Sequence, residues 1–302
     1  MHLTLRQLDV FLAVAQCGTT SAAAGAVSLS QSATSASLNE LEMQIGLQVF
    51  DRVGKRLTLN DNGRLLLPRA QQMLDARDSI TQMFNGGSPS DLCGAGLRIG
   101  ASTTIGNYLL PKLLGTIFST HASEYPKVSI ANTAEIAAMV ANFEVDIALL
   151  EGPADGRELQ VIPWIDDELV IVASPQHPIC RQRKKAPISL ATLCTAGWLR
   201  RESGSGTRST VDSVLLPHLH SLRTVGEYSN SEAIKQATAE QLGIACLPRC
   251  VVSDLIALGR LNELSTELPK LVRQFYIVHH KHKILSPRVS YLINFFKQWD
   301  RA

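Results

Sequence analysis

The chain has 302 residues, room for two or three domains, and its 45% hydrophobic and 19% charged content is that of a globular protein rather than a disordered one. The net charge of +2 gives no bulk support for a polyanionic partner. No apolar run nears the roughly 20 residues of a membrane span, and the first residues lack the charged and apolar regions of a secretory signal, so no membrane contact and a cytoplasmic location are expected.

In chain order, Leu3 to Gln16 repeats apolar residues at Leu5, Leu8, Phe11, Leu12 and Ala15, a one-sided helical stripe that needs partners. Gly18 ends it. Thr20 to Glu42 then holds two short helices joined by a tight connection. Ala23, Ala24 and Val27 give the first a small apolar face. Ser30 fits as the N-cap of the second, since its hydroxyl can accept a free backbone N–H. That helix, Gln31 to Ile45, is expected to bury Ala33, Leu38, Leu41 and Ile45 and to turn Gln31, Ser32, Thr34, Ser35 and Asn39 outward. Short polar side chains suit a helix that lies against base edges, because they hydrogen-bond without holding it away. Two helices with a short turn, the second presenting its N-terminal half, form a DNA-reading arrangement. After Gly46, the run Val49 to Leu59 reads as a β-ribbon turning at Gly54, with Arg52, Lys55 and Arg56 grouped as a wing for phosphates.

At this point a resemblance appears. LRQLDVFLAVAQCG, AAAGAVSLSQSATSASLNELE, VFDR and RLTLNDNGR together resemble the winged helix-turn-helix of LysR-type bacterial transcriptional regulators. The match is co-linear over the N-terminal third, and the remainder fits the family's plan. The resemblance implies double-stranded DNA as partner, a small-molecule effector, a homodimer or homotetramer, and RNA polymerase as a candidate contact. The chain departs from the family where Ala22 and Ala36 replace a common Arg and Ser32 a common Pro, which shifts phosphate contact toward the wing. Residues 1–64 hold Arg6, Arg52, Lys55, Arg56 and Arg64 against Asp9, Glu40, Glu42, Asp51 and Asp61, five against five. A single such domain should bind weakly, a dimer should need two half-sites, and binding should be strongly salt-sensitive.

Asn60 to Phe84 spaces Leu66, Ala70, Met73, Arg77, Ile80 and Phe84 alternately by four and three, an a/d seam that predicts pairing along its length. In LysR-type proteins the corresponding helix dimerises, and the alternative is packing on its own domain. Asn85 to Gly96 (NGGSPSDLCGAG) reads as a linker. From Leu97 strand and helix patterns alternate: strands at 97–101, 128–131, 145–150, 169–173, 198–200, 224–227, 244–247 and 273–279, and helices at 105–119, 134–142, 190–194, 207–216, 231–239 and 286–299. Such alternation predicts a parallel α/β sheet. The expected fold class is α/β: an N-terminal winged helix-turn-helix (1–60), a linker and dimerisation helix (61–88), and a two-lobed periplasmic-binding-protein-like effector domain (89–302). Lobe I takes 89–164 and 269–302, and lobe II takes 165–268.

Ligands of open α/β sheets bind beyond the carboxyl ends of the strands. Three such ends are rich in hydroxyl and N–H donors and precede helices: Ser102, Thr103 and Thr104; Asn132 and Thr133; and Glu202, Ser203, Gly204, Ser205, Gly206, Thr207 and Arg208. Helix starts favour anions, and Arg208 or Arg201 adds charge, so a small anion between the lobes is expected. Ordinary N-capping carries equal weight for any one segment. Glu135, Glu151 and Glu202 would line the cleft and disfavour large anions. ASTTIGNYLLP, NTAEI and ESGSGTR resemble the branch of carbon-fixation and sulfur-metabolism regulators, which implies a sulfur oxyanion such as sulfite or sulfate. GSGT lacks the spacing and lysine of a phosphate loop. His279, His280 and His282 lack partners at metal-site spacing, so no metal is expected. No catalytic arrangement and no cofactor is read, so the chain is not expected to be an enzyme. Six scattered cysteines fit reduced thiols, with a redox switch, at Cys246 and Cys250 or at Cys180 and Cys194, as the alternative. The competing function is a small-molecule binder whose N-terminal domain contacts another protein.

Overall fold

A computed structural model of the chain describes residues 3–54, 56–84, 96–118, 125–152, 156–181 and 186–299. Lys55, Cys93 and the linker 85–95 lie outside the described residues. Helix α1 (Leu5–Cys17) opens with a capping box, in which Thr4 accepts from the Gln7 N–H and the Gln7 side chain accepts from that of Thr4. Helix α2 (Thr20–Ala26) and helix α3 (Gln31–Ile45) follow, then strands β1 (Phe50–Val53) and β2 (Arg56–Leu59), paired antiparallel. Gly54 turns this ribbon at φ 64°, a left-handed conformation that suits a residue without Cβ. Leu8, Phe11, Leu38, Leu41 and Phe50 form the core of this unit.

Helix α4 (Asp61–Phe84) corrects the seam reading. Leu66, Ala70 and Leu74 pack into the N-terminal core, whereas Met73 and Ile80 are exposed. Ala70 and Met73 sit about 60° apart around the helix, so one can face the N-terminal core while the other faces out. The first half of the row therefore serves its own subunit, while Leu65, Met73 and Ile80 face outward.

The C-terminal part is two α/β lobes strung on two crossing strands. Strand β3 (Arg98–Ser102) lies between β4 (Lys127–Ala131) and β5 (Ile147–Glu151), parallel to both. Helices α5 (Thr103–Tyr108), α6 (Leu110–Phe118) and α7 (Thr133–Ala141) connect these strands. The single helix expected over 105–119 is thus two. Strand β6 (Leu159–Ala173) runs fifteen residues, far beyond the 169–173 expected. Helices α8 (Pro178–Arg181) and α9 (Leu190–Thr195), strand β7 (Gly197–Arg201), helix α10 (Gly206–Leu219), strand β8 (Arg223–Tyr228), helix α11 (Ser231–Ala239) and strand β9 (Ala245–Pro248) build the second lobe. Helix α12 (Arg249–Ala257), absent from the sequence reading, buries Val251, Val252 and Leu255. Strand β10 (Asn262–Glu263) adds an edge to β6. Strand β11 (Leu271–His280) then returns antiparallel to both β6 and β5, and helix α13 (Pro287–Gln298) closes on the first lobe. No described helix is long and apolar enough to cross a membrane.

At the end of β11, the His280 ring lies 4.1 Å between centroids from Phe143, and its Nδ1 accepts the His282 N–H at 3.1 Å. Burial pushes its imidazole down to about 4, against the opposing pull of Glu158. Between about 4 and the ordinary 6.5 the unfolded chain therefore binds the extra proton, so stability falls as pH falls through that window. His280→Asn should flatten this part of the pH dependence. Urea midpoints at pH 7, 5.5 and 4.5 should fall less steeply in the variant, and parallel wild-type and variant profiles would refute the assignment.

Candidate effector cleft and nucleic-acid interface

The Ser30 hydroxyl accepts the Ala33 N–H at 3.2 Å, so α3 starts where its cap was read. Gln31, Ser32 and Asn39 are exposed and Ser35 is half-buried. Thr34 is a correction. It is fully buried, and its hydroxyl donates to the Ser30 carbonyl at 2.9 Å. A threonine that satisfies its own helix has no free group for a base. The outward row contains Ala36 instead. Gln31 also donates to Thr20 at 3.3 Å, which ties the two helices. Arg52 and Arg56 are both exposed, but the register pairs Val53 with Arg56 and Leu57 with Arg52. Alternation therefore puts the two arginines on opposite faces of the ribbon rather than in one patch.

The three donor-rich segments do meet, across the two lobes. Gly206 N–H donates to the Thr133 hydroxyl at 3.2 Å, and that hydroxyl donates to the Glu151 carbonyl at 3.0 Å. A Cβ built on Gly206 would collide with the Glu151 carbonyl oxygen, so only glycine allows this approach. Ala134 N–H donates to the Gly204 carbonyl at 3.1 Å. Asn132 and Ser205 are helix caps, as the plainer reading allowed, and Ser203 is exposed. Thr103 donates to the Ala131 carbonyl at 3.2 Å. Ser102 sits at an N-cap position without capping. Its hydroxyl and that of Thr104 are buried with no partner among the described residues.

The charged centre was not foreseen. Arg273, 1% exposed at its side chain, bonds Glu151 at 2.6 Å and Asp167 at 2.9 Å. It also donates to the Thr207 hydroxyl at 2.9 Å, and that hydroxyl donates to Glu151 at 3.0 Å. Burial works against the guanidinium charge, but the two carboxylates outweigh it and raise its pKa. One guanidinium nitrogen, Nη2, is buried without a partner among the described residues. The two arginines read as free charge are committed elsewhere. Arg201 forks onto Glu202 at 2.7 and 2.9 Å and reaches Ser231 at 2.8 Å. Arg208 pairs with Asp212 at 3.3 Å and Glu227 at 2.9 Å. Burial opposes ionisation of Glu202, but Arg201 overcomes it and holds the carboxyl below its ordinary range. Tyr108 of the first lobe donates to Glu232 of the second, a further tie across the cleft. Behind Thr207 a cavity of about 10 Å³ has room for one water. The Cys246 thiol, pushed up to about 12 by burial, is protonated at neutral pH, which disfavours a redox role.

A chain of ion pairs joins this part to the N-terminal helices. Arg77 on α4 bonds Asp9 on α1 at 2.7 Å. Earlier on the same helix, Asp75 bonds Lys283, just past β11, at 2.8 Å, and Lys283 reaches Asp146 at 3.1 Å. Arg98 at the start of β3 completes the chain at 2.8 Å from Asp146. Burial alone would raise the Asp146 pKa, but Lys283 and Arg98 hold it below the usual range. Gln72 adds a bond to the His282 carbonyl. Among the described residues no group of three or more His, Cys, Asp or Glu is arranged to hold a metal ion.

Two family models match the chain: the LysR substrate binding domain over residues 94–301, and the bacterial regulatory helix-turn-helix protein, lysR family, over residues 5–64. Among curated proteins, the uncharacterized HTH-type transcriptional regulator YeiE of Escherichia coli K12 is 44% identical over 95% of this chain and 94% of its own. The RuBisCO operon transcriptional regulator of Allochromatium vinosum is 31% identical over 95% of this chain and 93% of its own. Among solved structures, a full-length OxyR variant from Pseudomonas aeruginosa aligns with a TM-score of 0.79 at 23% identity, over 99% of this chain and 96% of that one.

Asp75→Asn removes the α4 half of the Lys283 bridge and leaves Lys283 paired with Asp146. It should cost about 1–3 kcal/mol, the range for a charged hydrogen bond that is largely shielded from water. Hydrogen exchange of α4 should rise while that of β3 and β5 stays unchanged. Equal exchange in α4 would show that this bridge does not hold the helix.

Proposed function

The chain belongs to the LysR family, and on that premise we propose that it is a dimeric or tetrameric regulator whose DNA-reading helices answer to a small anion, such as sulfite or sulfate, held between the two C-terminal lobes. It is a DNA-binding transcription regulator with an effector-binding domain, not an enzyme. The finer reading divides it into 1–60 for DNA, 61–88 for the linker and 89–302 for the effector. It works in the cytoplasm, where the DNA is.

In this reading α3 enters the major groove and offers Gln31, Ser32, Ser35 and Asn39 to base edges. The ribbon contacts phosphate from both faces through Arg52 and Arg56. Met73 and Ile80, exposed on α4, are the part of the expected seam left for a second subunit, and exposed Leu65 lies beside it. A two-fold dimer implies a pseudo-palindromic site.

One observation carries the effector reading. Ser102 Oγ, Thr104 Oγ1 and Arg273 Nη2 are buried donors without partners among the described residues; Ser102 ends β3, Thr104 lies in the first turn of α5, and Arg273 stands near the start of β11 against Thr207 of α10. Unpaired buried donors are costly, and an oxyanion would satisfy them. Because Gly206 rests against Glu151, the effector enters only when the lobes part, and binding shifts the balance between two arrangements. The Asp75–Lys283 bridge would pass the change in the first lobe to α4, and the Arg77–Asp9 pair would pass it to α1.

Gln31→Ala should lower specific affinity by about 1–3 kcal/mol if Gln31 makes a bidentate base contact. Arg52→Ala should weaken binding to all sequences alike and lower the salt slope by about one. An unchanged slope in gel-shift titrations would take Arg52 off the phosphates. Sulfite titrated onto the protein at its own upstream DNA should change footprint length and DNA bend. Saturable binding of sulfite without either change would defeat the proposed control.

A further inference from the structure

Helix α3 carries no arginine or lysine between Gln31 and Ile45. The commonest base contact, a cation set against guanine, is therefore closed to it. Two of its side chains can still grip a base with two hydrogen bonds, the amides of Gln31 and Asn39, and both are exposed. Gln31 is the first residue of α3, next to the Ser30 cap, at the end of such a helix whose residues meet base edges.

The two amides are not held alike. Gln31 Nε2 donates to the Thr20 hydroxyl at 3.3 Å, a bond between the first residues of α3 and α2. Asn39 has no such tie among the described residues. Thr20 is half-buried, on a helix that Ala23 anchors in the N-terminal core. Its hydroxyl is not needed to start that helix, because Thr19 supplies the cap by accepting the Ala22 N–H at 3.2 Å.

Ordering a long glutamine side chain costs rotamer freedom, and an amide turned end for end offers a donor where an acceptor is needed. The bond to Thr20 acts on both. It takes one amide hydrogen and leaves the other hydrogen and Oε1 side by side. Adenine presents a donor at N6 and an acceptor at N7 in the major groove, the complement of that pair. Guanine presents two acceptors there, so Oε1 would face an acceptor.

Resting on the reading that α3 enters the major groove, we propose that Thr20 is a positioning residue for base readout. It fixes the Gln31 amide so that Oε1 accepts from adenine N6 and the free N–H donates to adenine N7. Each half-site then carries an adenine beneath the first residue of α3.

The test uses the full-length protein and a duplex from its own upstream region, with each half-site position changed in turn, symmetrically, in competition gel shifts. The wild type should prefer adenine at one position by about tenfold, within the range of a bidentate contact. Gln31→Ala should flatten the preference at that position alone. Thr20→Val keeps the shape and removes the acceptor. It should cut the same preference to about threefold, the effect of one ordinary hydrogen bond, and leave the other positions unchanged. Thr20→Ser should restore it. Thr20→Val added to Gln31→Ala should change nothing further, since the two act through one contact. With the wild-type protein, 7-deazaadenine at that position lacks the N7 acceptor and should bind about tenfold more weakly, while Gln31→Ala should not tell it from adenine. A Thr20→Val profile identical to wild type, one lowered equally at every position, or a loss that Thr20→Ser does not restore would overturn the inference while α3 keeps its place in the groove. So would a Gln31→Ala profile unchanged at every position, a base other than adenine at the position Gln31 reads, or 7-deazaadenine bound as tightly as adenine. If Gln31→Ala, Ser35→Ala and Asn39→Ala all leave every preference unchanged, α3 does not read bases, and the role of Thr20 falls with that reading.

Discussion

A guanidinium shielded from water is expensive, and the closed clamp is organised around one. Arg273 is 1% exposed at its side chain, and it holds its charge only because Glu151 and Asp167 stand beside it. Those three residues come from β11, β5 and β6, so the pairing also fixes how the crossing strands sit. Thr207 joins the same network from the second lobe. The lobes therefore meet at a hydrogen-bonded polar centre as well as at the apolar contacts of Tyr108 and Cys250 with the opposite cores. Such a centre is sensitive to anything that competes for its bonds, because each lost partner leaves a buried group unsatisfied.

The connection to the DNA-reading helices has the same character. Asp75, Lys283, Asp146 and Arg98 run from α4 into the sheet of the first lobe, and Lys283 is the shared cation at its centre. Buried ionic contacts of this kind have two states, made or broken, with little between. In the proposed control, a signal that moves the first lobe against α4 makes or breaks this contact. The N-terminal unit adds Arg77 and Asp9 at the other end of the path. That pair is half exposed and contributes orientation more than stability.

Much of this was legible in the chain. Ser30 as a cap, the α1 stripe and the alternating strands and helices follow from local spacing, which needs no tertiary information. Thr34 was misread because period alone cannot tell a hydroxyl that faces a groove from one that folds back on its own helix. The α4 seam divides: Leu66 and Ala70 pack into the N-terminal core, while Met73 and Ile80 stay exposed, a split that spacing alone does not reveal. Strand β6 is legible only over 169–173, where the apolar run lies, although Asp167 before it is buried against Arg273. A signal for that pair was present. Arg273 stands in phase with Leu271, Phe275 and Ile277 on the inward row of β11, and a charge on an inward row requires a buried partner. Lys283 and Asp75 gave no such signal, since their contact joins positions 208 apart in the chain.

The central claim is that occupancy of the cleft changes how the two α3 helices are set in the assembly. Double electron–electron resonance between spin labels at position 47, exposed just past the end of α3, measures that setting in the DNA-bound protein. The account predicts a distance distribution that moves when saturating sulfite is added. An identical distribution, with sulfite binding verified on the same sample, would contradict it.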